Sequence, residues 1–198
     1  MSDIQIIVQM TPNPNALKFI IDKDVISEGK ITYSSISEAT TPLSALLFAL
    51  NGIKQIHFFE NVITVTKWPH EDWADLEDKV KEVIENQMPE HDSNIEAVVS
   101  KSSNKSKKKT DLTEVSSEYL ALNAVFDSMI RPALQRDGGD IDIVDISENM
   151  VTVSYQGACN SCPSASIGTL QYIKAIVNEY DPNLDVQLDE EEDADNYW

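Results

Sequence analysis

An eleven-residue segment without a single apolar side chain divides this chain of 198 residues into two parts. The segment, residues 100–110, contains five lysines and no acidic residue. A segment that has no apolar surface to bury cannot join a packed core. We therefore expect a solvated linker at this point, with a separate small domain on each side of it.

The charge balance argues against nucleic acid and membrane surfaces as partners. The chain has 34 acidic and 15 basic residues, which give a net charge of −19 at pH 7. Phosphate backbones and anionic lipids require a positive surface, and no aromatic residue is interleaved with the lysines of the linker. No stretch approaches the ~18 consecutive apolar residues of a membrane-spanning helix. We expect neither nucleic acid nor a membrane as a partner.

The first residues and the cysteine count bear on the compartment. The sequence begins Met1-Ser2-Asp3 and runs directly into a strand-like pattern, without the basic and apolar regions of a signal peptide. Two cysteines cannot form the disulfide framework of a small secreted domain. We therefore expect a cytoplasmic protein.

The N-terminal half, residues 1–90, predicts a mixed domain without catalytic chemistry. It has no cysteine, no glycine-rich phosphate loop and no pair of histidines at metal spacing. His57, His70 and His91 are interpreted as packing or solvated residues. The predicted elements are strands at 4–8 and 16–21 around a turn at 11–15, a helix capped by Thr41, a hairpin over 53–67 and an amphipathic helix of about 16 residues that carries Trp73 and Ile84 on its apolar face.

The C-terminal domain is predicted over residues 112–188, after a linker at 91–111 and before an acidic tail at 189–198. Asp111 and Glu114 have the spacing of a helix capping box, and Pro132 predicts a kink or a restart of that helix. The Asp137-Gly138-Gly139-Asp140 turn is interpreted as structural, because its glycines permit unusual backbone angles. The predicted order is helix, two paired strands over 141–155, a second helix and a last strand over 184–188.

The two cysteines lie between the second of these strands and the following helix. Cys159 and Cys162 form a C-x-x-C motif, and Pro163 suits the first turn of a helix. A helix N-terminus favours thiolate over thiol through its unpaired N–H groups and its dipole. The motif therefore predicts either a soft-metal site or a reactive dithiol.

Two sulfur atoms are half of a usual metal site. Tetrahedral zinc and cubane clusters take four protein ligands, and no histidine occurs after residue 91. The missing ligands must come from a second copy of the chain or from a small thiol. Either source requires that the sulfur atoms can be reached from outside the domain.

Other interpretations of the cysteines remain open from the residues alone. A thioredoxin-like redox pair is the main competitor. Against it, no tryptophan precedes the pair, Pro163 follows the second cysteine and does not lie between the two, and the preceding helix and hairpin show no clear βαβ unit. An adaptor protein with incidental cysteines and a zinc site are the further alternatives.

Longer motifs in both halves resemble one family. Residues 10–20 (MTPNPNALKFI), 52–54 and 62–67 resemble the N-terminal domain of Nfu-type iron–sulfur scaffold proteins, over about residues 4–88. The DGGDI sequence at 137–141 and the GACNSCPS sequence at 157–164 resemble the C-terminal domain of NifU and its Nfu relatives, over about residues 114–188.

This resemblance implies a function as well as a fold. It implies a non-enzymatic carrier that holds a [4Fe–4S] cluster, with [2Fe–2S] as the alternative, in a homodimer and passes it to apo-proteins. Only Cys159 and Cys162 match the family's ligands, and upstream cluster-assembly proteins would be further partners. The expected fold is α/β in the α+β sense, with two small mixed domains joined by a flexible Ser/Lys linker.

Overall fold

The computed structural model describes residues 4–95, 117–160 and 168–189. Within these ranges the chain forms a five-stranded and a three-stranded sheet, each with its own apolar core. The predicted α+β class with two small domains is confirmed. The predicted capping box at Asp111, most of the linker, Cys162 with Pro163, and nearly all of the acidic tail lie outside the described residues.

The N-terminal domain contains an antiparallel sheet in the order β1-β2-β5-β4-β3 and two helices. The predicted strands, hairpin and helices are all confirmed, whereas the short strand β3 was not predicted. The elements are β1 (Ile6–Met10), β2 (Ala16–Ile21), β3 (Lys30–Tyr33), α1 (Pro42–Ala49), β4 (Ile53–Phe59), β5 (Val62–Lys67) and α2 (Trp73–Gln87).

Helix α1 begins where the sequence predicts. The Thr41 hydroxyl accepts a hydrogen bond from the Ser44 N–H at 3.0 Å, and the Ser44 hydroxyl accepts one from the Thr41 N–H at 3.1 Å. This reciprocal capping box satisfies two N–H groups that have no partner within the helix. Pro42 occupies the first turn, where its missing N–H costs nothing.

The two faces of the N-terminal sheet differ in chemistry. One face is apolar and packs against α1 and α2, with Phe19, Phe58 and Ile63 fully buried. The opposite face carries polar side chains that lie in register across four strands. Lys18 pairs with Thr64, Thr64 with His57, and His57 with Thr32. In an antiparallel sheet such a face commonly meets water.

The described residues of the C-terminal domain form a three-stranded sheet and three helices. Between α3 and α4 the chain makes a wide helical turn over Phe126–Ile130, and Pro132 lies in the first turn of α4, so the predicted restart is confirmed. None of the described helices is long and apolar enough to cross a bilayer. The elements are α3 (Ser117–Val125), α4 (Arg131–Arg136), β6 (Gly139–Ser147), β7 (Met150–Gly157), α5 (Leu170–Tyr180) and β8 (Asp185–Leu188).

The last strand completes a unit that the sequence did not predict. Strand β8 forms as predicted, but it pairs in parallel with β7, and α5 lies between these two strands in the chain. The β7–α5–β8 segment is therefore a βαβ unit, whereas the helix and the antiparallel hairpin that precede the cysteines contain none, as predicted. The alternating apolar residues of β8 indicate a strand but not its direction, which is set by how α5 packs back onto the sheet.

Candidate metal centre

Cys159 lies in a tight turn that directly follows β7. The Cys159 N–H donates to the carbonyl oxygen of Gln156 at 3.3 Å, and the Asn160 N–H donates to that of Gly157 at 3.1 Å. We call residues 158–160 the cysteine turn. The hairpin of β6 and β7 ends beside it, where Gly139 pairs with Gly157.

Glycines leave the space that the cysteine turn occupies. A Cβ atom added to Gly139 would lie 2.3 Å from the sulfur of Cys159 and 2.8 Å from its backbone nitrogen. No side chain fits at this distance. Gly138 and Gly157 have φ angles of +82° and +59°, which favour glycine. The structural role predicted for the glycines at 138 and 139 is therefore confirmed.

Cys159 is buried in this conformation. Only 8% of its surface is exposed, and it belongs to the apolar core of the C-terminal domain together with Tyr155. Ligands supplied by a second molecule must be able to reach the sulfur. The cysteine turn must therefore move before Cys159 can join a site that is shared between two chains.

The hydroxyl of Tyr155 is the polar group most relevant to this sulfur. It is buried and has no hydrogen-bond partner among the described residues. Burial raises the pKa of Tyr155, and the neighbouring Cys159 raises it further. The hydroxyl thus stays protonated at pH 7, and in this conformation it makes no hydrogen bond to the Cys159 sulfur.

The pairing of Cys159 with Cys162 stays a prediction, because Cys162 lies outside the described residues. The same holds for the predicted position of Cys162 at a helix N-terminus. Within residues 4–95, 117–160 and 168–189, no three side chains of His, Cys, Asp or Glu are arranged to hold a metal ion.

The cysteine turn also contacts the N-terminal domain, which sequence reasoning did not predict. The side-chain nitrogen Nδ2 of Asn13 donates to the carbonyl oxygens of Ala158 at 3.0 Å and Asn160 at 3.4 Å. Asn13 is 1% exposed. Its Oδ1 accepts from the Asn15 N–H at 3.0 Å, which fixes the side chain within its own turn. One residue of the first domain thus holds the backbone on both sides of Cys159.

A buried carboxylate of the second domain anchors the same interface. Asp140 is fully buried, and Lys30 of β3 lies 2.9 Å from it. Burial alone would raise the pKa of Asp140, but Lys30 and a hydrogen bond from Gln135 outweigh burial and lower it. Lys30 also contacts Asp142 at 2.7 Å. The sequence signal for Asp140 was its glycine-rich turn, which indicates backbone geometry and not a charge partner.

His57 is a buried packing residue, as predicted. Its Nδ1 lies 2.8 Å from the Thr32 hydroxyl. Its ring lies beside Gly157, where an added Cβ would be 3.2 Å from Cδ2. Burial lowers the pKa of His57 from 6.5 to about 4, so the ring is neutral at pH 7. His91 also packs, with Nε2 2.8 Å from the carbonyl oxygen of Val25.

Both halves of the chain match known families. Residues 4–91 match the family described as the N-terminal part of the scaffold protein Nfu/NifU, and residues 122–186 match the NifU-like domain. A NifU-like protein of Schizosaccharomyces pombe is 33% identical over 193 residues, covering 93% of this chain and 73% of the relative.

Other relatives carry a more specific name. Proteins of Drosophila grimshawi and Drosophila erecta, named mitochondrial NFU1 iron–sulfur cluster scaffold homologs, are 29% and 30% identical and match 89% of this chain. The chain spans 58% and 62% of their lengths. These names make the expected cytoplasmic location wrong. That expectation had relied on the missing secretory pattern, which reports on the secretory route alone.

Two solved structures are similar to parts of this chain. The match to a NifU-like protein from Saccharomyces cerevisiae covers 48% of this chain and 88% of the yeast chain, at 19% identity and a TM-score of 0.44. The match to protein SAV1430 from Staphylococcus aureus covers 41% of this chain and 99% of the bacterial chain, at 24% identity and a TM-score of 0.38.

Proposed function

This chain belongs to the Nfu/NifU family of scaffold proteins, and we propose that it carries an iron–sulfur cluster as cargo and delivers it to apo-proteins. The observation that carries the proposal is the position of Cys159 in the tight turn after β7. This turn lies in a chain that matches both scaffold domains in order. The protein performs no catalytic turnover of its own.

The cargo is held by Cys159 and Cys162 of two chains. Each chain has two cysteines, so a homodimer supplies the four thiolates that a [4Fe–4S] cluster takes. The same four thiolates also suit a [2Fe–2S] cluster, which is the lesser alternative.

Delivery is a ligand exchange without oxidation or reduction. A thiol of the acceptor loses its proton to solvent, and its sulfur forms a bond to iron as one carrier thiolate leaves. The departing thiolate takes up a proton, and four such exchanges move the whole cluster. A site that is shared between two chains near a surface releases its cargo more readily than a site enclosed within one core.

The proposed partners follow from this role. They are upstream assembly proteins that supply the cluster, apo iron–sulfur proteins that receive it, and a second copy of this chain. The names of the Drosophila relatives suggest that these exchanges take place in mitochondria. We propose that the N-terminal domain takes part in selecting partners.

Anaerobic reconstitution with iron and sulfide tests the proposal. We expect a brown dimer with about four irons per two chains, and a Mössbauer spectrum of a cubane cluster. Both Cys159→Ser and Cys162→Ser should abolish the colour and the dimer, whereas Ser128→Ala on the exposed surface should retain both. A colourless wild-type monomer, or zinc as the only bound metal, would contradict the proposal.

One observation favours a second candidate function. Cys159 follows the first strand of the β7–α5–β8 unit, and a C-x-x-C motif near a βαβ pattern is typical of thiol redox proteins. A dithiol–disulfide oxidoreductase would reduce insulin disulfides without iron, and it would carry an easily reduced disulfide as isolated. Activity in that assay, together with failure to bind iron, would favour this candidate.

A further inference from the structure

The polar face of the N-terminal sheet is buried against the C-terminal domain. We define this docking face as Lys18, Lys30, Thr32, His57 and Thr64. Its central row runs across four strands, and an added Cβ at Gly138 of the second domain would lie 3.1 Å from the Thr64 hydroxyl. The Lys18 ammonium donates to the carbonyl oxygen of Arg136 at 2.5 Å, at the end of α4. A cation in this position also complements the helix dipole.

The docked arrangement leaves several buried polar groups unsatisfied. His57 Nε2 and the hydroxyl of Thr64 have no hydrogen-bond partner within the described part of the chain, and the same is true of Gln55 Oε1 and the Thr66 hydroxyl. All four side chains belong to β4 and β5. Each such group loses its water on docking without compensation. A surface of this kind favours reversible contact, since permanent interfaces are more apolar.

Specific contacts nevertheless align the two domains. Lys30 makes ion pairs with Asp140 and Asp142 and donates to the carbonyl oxygen of Ile141 at 3.3 Å. Asp140 is fully buried, so removal of Lys30 takes away a charge partner that water cannot fully replace. These contacts fix the position of Asn13 above the cysteine turn.

We propose that the docking face is a detachable cover for the cysteine turn, with Asn13 as the residue that positions the turn in its buried form. Asn13 holds the carbonyl oxygens on both sides of Cys159, and Cys159 is 8% exposed in this docked arrangement. Release of the N-terminal domain frees these carbonyl oxygens and allows the turn to present its sulfur. The link to cluster loading rests on the proposed function, whereas the cover itself does not.

The reactivity of Cys159 tests this proposal without iron. The background substitution Cys162→Ser leaves Cys159 as the only thiol of the chain. Its alkylation by iodoacetamide is followed by intact-protein mass, at neutral pH, with reductant and chelator removed. The rate in urea-unfolded protein gives the intrinsic reactivity for each variant.

Two substitutions on the cover should accelerate alkylation. Asn13→Asp keeps the acceptor for Asn15 but turns the donor toward Ala158 and Asn160 into a repelling oxygen. We expect about a fivefold higher rate, which corresponds to the loss of one hydrogen bond. Lys30→Glu should raise the alkylation rate of Cys159 about tenfold or more, because it places a second negative charge opposite the carboxylate of Asp140. The double variant should alkylate about fivefold faster than Lys30→Glu as long as the docked form predominates, since both changes act on the same docking equilibrium and their free energies add.

Matched controls separate the cover from general destabilisation. Asn61→Asp removes a similar hydrogen bond, 2.7 Å long, from Asn61 to Ile21 inside the N-terminal domain. Lys79→Glu makes the same charge change on the exposed surface of α2. Both controls should alkylate within about twofold of the parent. Equal rates in all variants, or controls as fast as the cover variants, would overturn the proposal.

A measurement on the unaltered chain covers the case in which a variant fails to fold. A zero-length carbodiimide should join Lys30 to Asp142, whose charged atoms lie 2.7 Å apart, within a single chain. Absence of this cross-link would overturn the docked arrangement. Unchanged alkylation rates would overturn the cover and say nothing against iron binding. A protein that binds no iron would overturn the proposed function and say nothing against the cover, so the two proposals can fail separately.

Discussion

The side chain of Asn13 donates a hydrogen bond to the carbonyl oxygen of Ala158, 145 positions further along the chain, at 3.0 Å. The donor belongs to the turn between β1 and β2, and the acceptor directly precedes Cys159. The contact therefore connects the first domain to the backbone that places the candidate ligand. It makes the interface between the domains part of the candidate site.

Cluster loading should separate the two domains. We expect the carbodiimide cross-link between Lys30 and Asp142 to decrease several-fold when the apo-protein is reconstituted, because the cover must leave the cysteine turn. The ion pair of Lys174 and Asp185, at 2.8 Å within the C-terminal domain, provides an internal reference whose cross-link should not change. Peptide mass spectrometry of both cross-links gives the ratio. An unchanged ratio in iron-loaded protein would show that the domains stay docked.

Acidification should open the docked form. The pKa of His57 is lowered from 6.5 to about 4 by burial, while nearby Asp140 and Asp142 raise it and Lys30 lowers it. The docked state contains the neutral ring. The contribution of this ring to the free energy of docking is fully present above pH 6.5 and is lost as the pH falls toward 4. The full effect is about 3 kcal/mol.

Small-angle X-ray scattering of the apo-protein measures this opening. We expect a larger radius of gyration at pH 5.0 than at pH 7.5. His57→Gln removes the titrating group, so its radius should change much less over the same interval. Asp140 stays charged there, because its pKa lies below the ordinary value. Equal pH responses of the two proteins would exclude His57 as the cause.

Removal of an unsatisfied hydroxyl should strengthen docking. Thr64→Val keeps the shape of the side chain and takes away a buried oxygen that has no partner among the described residues. We expect the free energy of docking to improve by about 1 kcal/mol, and alkylation of Cys159 to slow by about fivefold. Thr152→Val is the control, because the Thr152 hydroxyl accepts from Gln187 at 3.1 Å outside the interface. Faster alkylation in Thr64→Val would contradict a docking face of this composition.

A methyl group at residue 139 should disturb the cysteine turn. Gly139→Ala places a carbon 2.3 Å from the Cys159 sulfur and 2.8 Å from the backbone nitrogen, so the backbone must shift. We expect the free energy of unfolding in urea to fall by about 1–3 kcal/mol. An added Cβ at Gly168 meets no described atom within 4 Å, so Gly168→Ala should leave stability equal or higher by up to about 1 kcal/mol. Equal losses in both variants would contradict the close packing at 139.

Most helices and strands could be predicted from sequence patterns that extend over only a few residues. The Thr41 cap, the strands β4 and β5 and the restart at Pro132 each depend on residues a few positions apart, and their spacing predicted them. Strand β3 was not predicted, because four residues are too few to show a clear alternation of apolar and polar side chains. The direction of β8 was not predicted, because alternating apolar residues form the same pattern in parallel and antiparallel strands.

Sequence alone determined the family, the two-domain α+β organisation and the candidate ligand Cys159, since each is written in motifs or periodicities that need no distant partner. Only the tertiary structure decided that Lys30 meets Asp140 and that Asn13 holds the cysteine turn. The alternating Thr64 and His57 predict a polar sheet face, and such a face has the same sequence pattern whether water or another domain covers it. Whether water or the second domain covers this face depends on the free energy of contact between surfaces that lie more than a hundred residues apart in the chain.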